Sequence, residues 1–391
     1  MPGLGGSFND RALVKNDREV TVSQQQEISP TGKLSTSTAI EFATACLQKA
    51  GARADIAEQM AKSLVYGDLF GFRTHGLRRL PYNVKQLQSG QSQGQGDVDV
   101  VQERLATAHW DAHGLSGLYV IPQAVEHAIS KARDCGTATV VVRRCDHVAS
   151  LAAYLHLATE QGMVISMLAS TPAQASVAPF GAKGRVFSPN PFGFAVPYSP
   201  QGEANSPQRS IMFDMSFSVT AAGKVRQAYD RQESLPWPAI IAPDGSATAN
   251  PASYLDEGGA LLPLGGIDLG FKGYGLCLMS ELLTMGLTGY GRDVGADDGE
   301  FNSVYIQVSD PTAFTSTAEF DRVVADLAQR CLQAEPINAE QPPRLPGERA
   351  WREFDRQMNQ GVELDELTWP RLCHVARKLG VAIPASTAER S

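Results

Sequence analysis

The stretch that follows Trp110 constrains the fold more than any other, because two helical patterns there each hand over to a short apolar run rich in β-branched or aliphatic residues. VIPQAVEHAISKARDCG carries apolar residues at helical spacing and leads into TATVVVRR; SLAAYLHLATEQG leads into MVISMLAS. A helical period that gives way twice to an apolar run of strand length predicts helices packed on a sheet, an α/β fold class. Sheets that bind dinucleotides in the commonest way carry GxGxxG between a strand and a helix. The nearest approach here, Gly289, Gly291 and Gly295, follows an apolar helix instead, and so predicts a helix stop and a turn. The Rossmann fingerprint is therefore absent.

The flanks add helices. Residues 1–34 are polar and rich in Gly and Gln with no sustained period, which predicts a flexible tail outside the fold. STSTAIEFATACLQKAGARADIAEQMAKSLVYGD then opens on Ser and Thr as cap candidates and predicts two helices broken at Gly51. SGQSQGQGD is a loop, followed by short strands around Val98 and Ala106. The span from Pro197 to Pro263 is rich in Pro, Gly and Ser, with strand-like SIMFDM and PAIIAPDG. KGYGLCLMSELLTMGLTG is a long apolar helix expected in the core. SVYIQVSD is a strand before the helix TAEFDRVVADLAQRCLQA, and two charged helical stretches close the chain.

Composition excludes several function classes. The 391 residues, 43% hydrophobic, suffice for a large core, and a net charge of -8 argues against nucleic acid or an anionic membrane as the partner. No apolar run reaches the roughly 18–20 residues of a membrane span, and the start lacks a basic-then-apolar signal, so the expected compartment is the cytoplasm. Cys46, Cys135, Cys145, Cys277, Cys331 and Cys373 form no CxxC pair, which predicts mostly buried thiols rather than zinc ligands or disulfides. Neither GxSxG nor a P-loop is present, so acyl transfer and nucleotide hydrolysis are not expected. His109 and His113 have the spacing of a metal pair, but Gly114 points to a strand and turn, and no metal is expected. His127, His156 and His374 lie in amphipathic helices as surface or interface residues.

Chemistry concentrates in GDLFGFRTHGLRRLPYNVKQLQSG. A helix from about Thr74 would set His75 and Arg79 on one face, a turn apart. Arg meets a carboxylate bidentately and His exchanges a proton near neutral pH, so the pair suits a small 2-oxo or 2-imino acid. The alternative is a solvated basic helix start, since Arg73 and Arg78 cluster with Arg79. His147, at the end of a strand, is a second candidate, although a lone His in such a place is more often a structural residue.

Beyond these residues, DHVASLAAY at Asp146, NPFGFAVP at Asn190, FDMSFSVTAAGK at Phe213, ALLPLGG with KGYGL near Lys272, and RLPGERAWRE at Arg344 occur in a fixed order. In that order the chain resembles the type-2 malate/L-lactate dehydrogenase family, which also holds ureidoglycolate, sulfolactate and cyclic imino-acid oxidoreductases. The resemblance covers residues 34–384. It implies a non-Rossmann, NAD(P)-binding α/β domain over residues 111–334, and a helical substrate and dimerisation domain from residues 35–110 and 335–391. It further implies NADPH or NADH held by Asp214, Met215, Ser216, Phe217, Ser218, Lys272, Gly347, Glu348 and Arg349. His75 becomes the general acid/base, His147 shapes or shares its site, and Thr74, Arg79 and Thr171 bind the substrate. A homodimer acting without metal on a small carboxylic acid completes the expectation.

Departures from the family pattern touch the pocket. Thr74 replaces Ser, Asn83 replaces Tyr, Val148 replaces Phe, Phe271 replaces His, Pro189 replaces Thr, and the segment before Lys272 is longer. Two substrate readings stay open: interconversion of a 2-oxo and a 2-hydroxy acid, or reduction of the C=N bond of a cyclic imino acid such as piperideine- or pyrroline-2-carboxylate. A non-catalytic cofactor-binding homologue is a third.

Overall fold

The computed structural model describes residues 30–198 and 209–386. Most of the tail expected over residues 1–34 lies outside the described residues, but its end is corrected: Gly32–Leu34 forms a strand, β1, antiparallel to Val362–Leu364. Leu34 turns fully into the core, and a Cβ at Gly32 would sit 2.5 Å from the Trp369 ring, so this short segment is packed rather than free. Helix α1 (Thr36–Lys49) starts where Ser35 Oγ accepts the Thr38 N–H, and α2 (Ala54–Leu69) follows the break at Gly51, whose φ of +111° suits glycine. No continuous helix starts at Thr74. Two 3-10 turns, Arg73–His75 and Leu77–Arg79, separated by extended backbone at Gly76, lead into α3 (Leu80–Ser89), where Pro81 suits the first turn.

The sheet begins before residue 111. The strands expected near Val98 and Ala106 are β2 (Asp99–Arg104) and β3 (Thr107–Asp111). Then come α4 (Gly117–Cys135), β4 (Thr137–Cys145), α5 (Ala152–Thr159), β5 (Val164–Ser170), β6 (Pro191–Tyr198) and β7 (Arg209–Ser216). A lobe follows with α6 (Ala222–Asp230), β8 (Ile240–Ile241), β9 (Ala247–Thr248), α7 (Pro251–Leu255) and β10 (Ala260–Leu261), its strands forming a small antiparallel sheet. After it run α8 (Gly266–Leu269), α9 (Phe271–Glu281) with a π turn over Leu282–Gly286, α10 (Arg292–Gly295), β11 (Asn302–Ser309), α11 (Thr317–Gln333), α12 (Glu348–Gln360), β12 (Val362–Leu364) and α13 (Trp369–Leu379).

Seven strands form the main sheet in the order β2-β3-β4-β11-β5-β6-β7. β3 and β4, joined across α4, run parallel, and the remaining neighbours are antiparallel. This mixed order explains the missing fingerprint, since a Rossmann site needs successive parallel strands meeting at a switch point. Strand alternation divides the apolar residues between two cores. Ile165, Met167, Val304 and Ile306 face a core shared with α1, α2, α4, α5, α12 and α13, whereas Leu168 and Tyr305 face a second core under the lobe, with Phe217 and Cys277. The carboxy-terminal helices thus return onto the amino-terminal ones.

Two expectations change. His156 is buried, stacked on Tyr66 at 4.6 Å and 9°, rather than on a helix surface. The apolar helix after Lys272 is not wholly buried: Gly273, Cys277, Ser280 and Thr284 turn inward, while Leu278, Met279, Leu282 and Leu287 face out. Small inward residues let the helix lie close to the sheet, with Ser280 Oγ 3.4 Å from Ser170 Oγ on β5, and this leaves the bulky side chains on the other side. Cys46, Cys145, Cys277 and Cys373 are buried thiols, and Cys135 and Cys331 are exposed.

Candidate active site

The loop after α2 carries His75 and Arg79, and one carboxylate shapes it. Asp68, in the last turn of α2, accepts the Leu77 N–H at 2.7 Å, and Gln357 Nε2 on α12 holds the Asp68 carbonyl at 2.6 Å. Gly76 passes so close that a Cβ there would lie 2.2 Å from Asp68 Oδ1, so the turn tolerates only glycine. Burial pushes the Asp68 carboxyl up to about 7, against the Leu77 hydrogen bond, which lowers it.

The structure brings His75 and His147 together, with ring centroids 6.0 Å apart and planes 26° from parallel. Each ring is half-buried. Burial, and then the Arg79 charge, hold His75 down at about 4, and the same causes in the same order hold His147 well below its usual value, with His75 adding to them. Both imidazoles are neutral at pH 7. Their nitrogens differ in partners: His75 Nδ1 lies 2.9 Å from the exposed Thr74 hydroxyl, whereas His147 Nδ1 accepts the Ala149 N–H at 2.8 Å. A backbone N–H only donates, so the His147 proton sits on Nε2. Ala149 takes φ +55° to make this turn.

Arg79 lies beside both rings. Its guanidinium stacks over Tyr82 at 4.4 Å, and one nitrogen reaches Glu300 Oε2 at 3.2 Å. Asp146 is buried next to His147; its Oδ1 accepts the His147 N–H at 2.8 Å, its Oδ2 has no hydrogen-bond partner among the described residues, and burial raises its pKa.

Thr171, just past β5, joins the same cluster through Asn302. Asn302 Nδ2 donates to Thr171 Oγ1 at 2.7 Å, while Asn302 Oδ1 accepts the Val148 N–H at 3.0 Å. Arg292 pins the loop that follows Thr171 by donating to the carbonyls of Pro172 at 3.0 Å and Gln174 at 2.6 Å, and it pairs with Glu281. Sequence reasoning missed Asp68, Asn302, Glu300 and Arg292. Single polar side chains at helix and strand ends carry no local signal, and Glu300 and Asn302 reach the site only through the pairing of β11 between β4 and β5.

The residues expected to hold a dinucleotide line β7 and its continuation. Asp214, Met215 and Ser216 end β7, Phe217 is buried in the second core, and the Ser216 and Ser218 hydroxyls are 3.0 Å apart. The Asp214 carboxylate points to α5 instead of a ligand: it accepts from Ser150 Oγ at 3.2 Å and Ala152 N at 3.0 Å, and burial raises its pKa. The chain beyond Phe217 meets the turn before Lys272, where Leu264 N donates to the Phe217 carbonyl at 2.8 Å and Gly273 N to the Leu264 carbonyl at 3.1 Å. On the other side Pro346 accepts the Met212 N–H at 3.1 Å, and Gly347, at φ +91°, abuts Met212 so closely that a Cβ would be 2.8 Å from its Cγ. Glu348 then opens α12 and pairs with Arg352; Lys272 and Arg349 are exposed. Hydroxyls, a helix amino terminus with no side-chain cap and two exposed cations, Lys272 on α9 and Arg349 on α12, are groups that fit the phosphates of a dinucleotide.

Known proteins resemble this chain along nearly its whole length. The profile of the malate/L-lactate dehydrogenase family matches residues 34–373. An L-sulfolactate dehydrogenase of Methanocaldococcus jannaschii is 30% identical over 343 residues, spanning 86% of this chain and 94% of the relative. A Delta(1)-pyrroline-2-carboxylate/Delta(1)-piperideine-2-carboxylate reductase of Pseudomonas putida is 30% identical over 335 residues, 82% of this chain and 90% of the relative. The solved sulfolactate dehydrogenase from Methanocaldococcus jannaschii superposes with a TM-score of 0.78 at 28% identity, covering 89% of this chain and 98% of its own.

Proposed function

The chain belongs to the malate/L-lactate dehydrogenase family, and from that premise we propose how its own residues act on a small 2-oxo or 2-hydroxy acid. It is an oxidoreductase of this family. Arg79 receives the substrate carboxylate, and its charge, which after burial is the next cause holding both imidazoles neutral, is thereby offset. His75 is then the residue that gives a proton to the carbonyl oxygen as negative charge develops there, and takes it back in the oxidation direction. His147 holds its Nε2–H toward the same oxygen as a fixed donor.

The observation that carries this division of labour is the contrast at the two Nδ1 atoms. The Thr74 hydroxyl can donate or accept, so His75 keeps its partner in either protonation state; the Ala149 N–H can only donate, so an imidazolium at His147 would lose its own. Thr171, fixed by Asn302, closes the substrate site.

A nicotinamide dinucleotide, NADH or NADPH, supplies the hydride when bound. Met215, Ser216, Ser218, Lys272, Gly347, Glu348 and Arg349 are the residues proposed to hold it, with Asp214 and Phe217 bracing that strand from behind. A homodimer is part of the proposal, supported by the apolar face of α9, and the six free thiols fit a reducing cytoplasm. A second reading, reduction of a cyclic imino acid, is favoured by Glu300, a carboxylate beside the clamp that suits a positively charged iminium group.

His75→Asn tests the assignment. Turnover of 2-oxo acids, followed by cofactor absorbance, is expected to fall about a hundredfold or more while the cofactor still binds. Unchanged turnover would remove His75 from the proton path.

A further inference from the structure

Glu300 stands where a substrate would be discriminated. It lies two residues before Asn302, at the end of the turn that leads into β11, with Oε2 3.2 Å from Arg79 Nη2. That turn is held on both sides: Tyr290 Oη donates to Asp298 Oδ2 at 2.6 Å and Gln91 Nε2 to the Asp298 carbonyl at 3.3 Å. The backbone that carries Glu300 is therefore anchored beside the clamp, and its carboxylate meets Arg79 from there. The ion pair uses one guanidinium nitrogen, and its members remain 21% and 38% exposed, so Arg79 keeps donors for an incoming carboxylate without discarding Glu300.

The charges then set a preference. Arg79 is the cation that bears on both imidazoles, and Glu300 already offsets it. One substrate carboxylate can share the guanidinium. A second acidic group on the same small molecule would lie near Glu300 in a partly buried site, where like charges are poorly screened. A hydrogen-bond donor or a positive charge in that place would instead find an acceptor waiting.

We infer that Glu300 is a specificity-determining residue that turns away small dianionic acids and favours monocarboxylates carrying a hydrogen-bond donor or positive charge beside the carboxylate. The inference rests on the proposed role of Arg79 as the carboxylate clamp. Selectivity here comes from an element that repels the wrong ligand as much as from one that attracts the right one.

Oxamate and oxalate are near-isosteric and differ by an amide in place of one carboxylate, so they report this preference directly. Calorimetric titration of the NADH-saturated protein is expected to show oxamate binding about tenfold more tightly than oxalate, and Glu300→Gln, which keeps the side-chain volume, to abolish most of that ratio by strengthening oxalate. The same ratio in both proteins, or a wild-type preference for oxalate, overturns the inference while leaving the clamp intact. If neither anion binds either protein although NADH does, or if Arg79→Met binds both as well as wild type, the clamp itself is refuted, and the inference with it.

Discussion

Asp68 shows how one buried side chain can set both the geometry and the pH response of the site. It holds the Leu77 N–H, crowds Gly76 and so fixes where His75 and Arg79 emerge. Burial outweighs that hydrogen bond and raises the folded pKa to about 7, above the ordinary carboxylate value. The folded protein therefore keeps a proton that the unfolded chain releases near pH 4, and stability falls as pH rises from about 4 to about 7, by up to about 4 kcal/mol. Asp68→Asn, which retains an acceptor for Leu77, is expected to lose this part of the pH dependence. Urea unfolding of both proteins from pH 5 to pH 8 checks it, because parallel curves would mean that Asp68 carries no such burden. At this scale the sequence was legible where candidate residues concentrate in a local motif: His75 and Arg79 do lie near each other, although two 3-10 turns rather than a helical face bring them there. Glu300 and Asn302 were illegible, since each lies more than 150 residues from the group it touches, Arg79 and Val148 respectively.

Among the elements, β11 does the most to assemble the site. It enters the sheet between β4 and β5, and its first residue, Asn302, ties the loop after one neighbour to the loop after the other. His147 follows β4 and Thr171 follows β5, so a single amide sets the spacing of two proposed functional residues. Asn302→Ala would leave the Val148 N–H buried without its acceptor and free Thr171 Oγ1, at a cost of about 2 kcal/mol. The expected result is a lower midpoint in chemical unfolding together with about a tenfold loss of kcat; a stability loss with kcat intact would confine Asn302 to a structural role. The strands themselves were legible because β4, β5 and β11 are apolar runs of strand length. Their order was not, since inserting the later β11 between β4 and β5 is a non-local pairing that leaves no mark in any one segment.

Over the whole molecule, the least expected property is where the apolar surface goes. The sequence predicted that KGYGLCLMSELLTMGLTG would be core, yet its inward stripe is Gly273, Cys277, Ser280 and Thr284, and its bulky residues face outward. Phe271 and Leu282 are 51% and 60% exposed, and Ile267 and Leu269 on the preceding α8 are exposed as well. Monomeric proteins rarely leave a contiguous apolar patch larger than a few hundred Å² in water, and a local hydrophobic pattern cannot tell burial in a core from burial against a partner. A second copy would cover the face symmetrically, as most homo-oligomers do. Leu282→Asp tests this, because the side chain is already exposed and its replacement should leave the fold unchanged. Sedimentation of the wild-type chain is expected to give twice the 41.9 kDa of one protomer, and the variant the mass of one, with near-ultraviolet dichroism retained; a wild-type monomer at micromolar concentration would mean that the face serves another partner. If the variant is monomeric and inactive while still folded, the substrate or cofactor site depends on the second copy, and if it is monomeric and active, each protomer is complete.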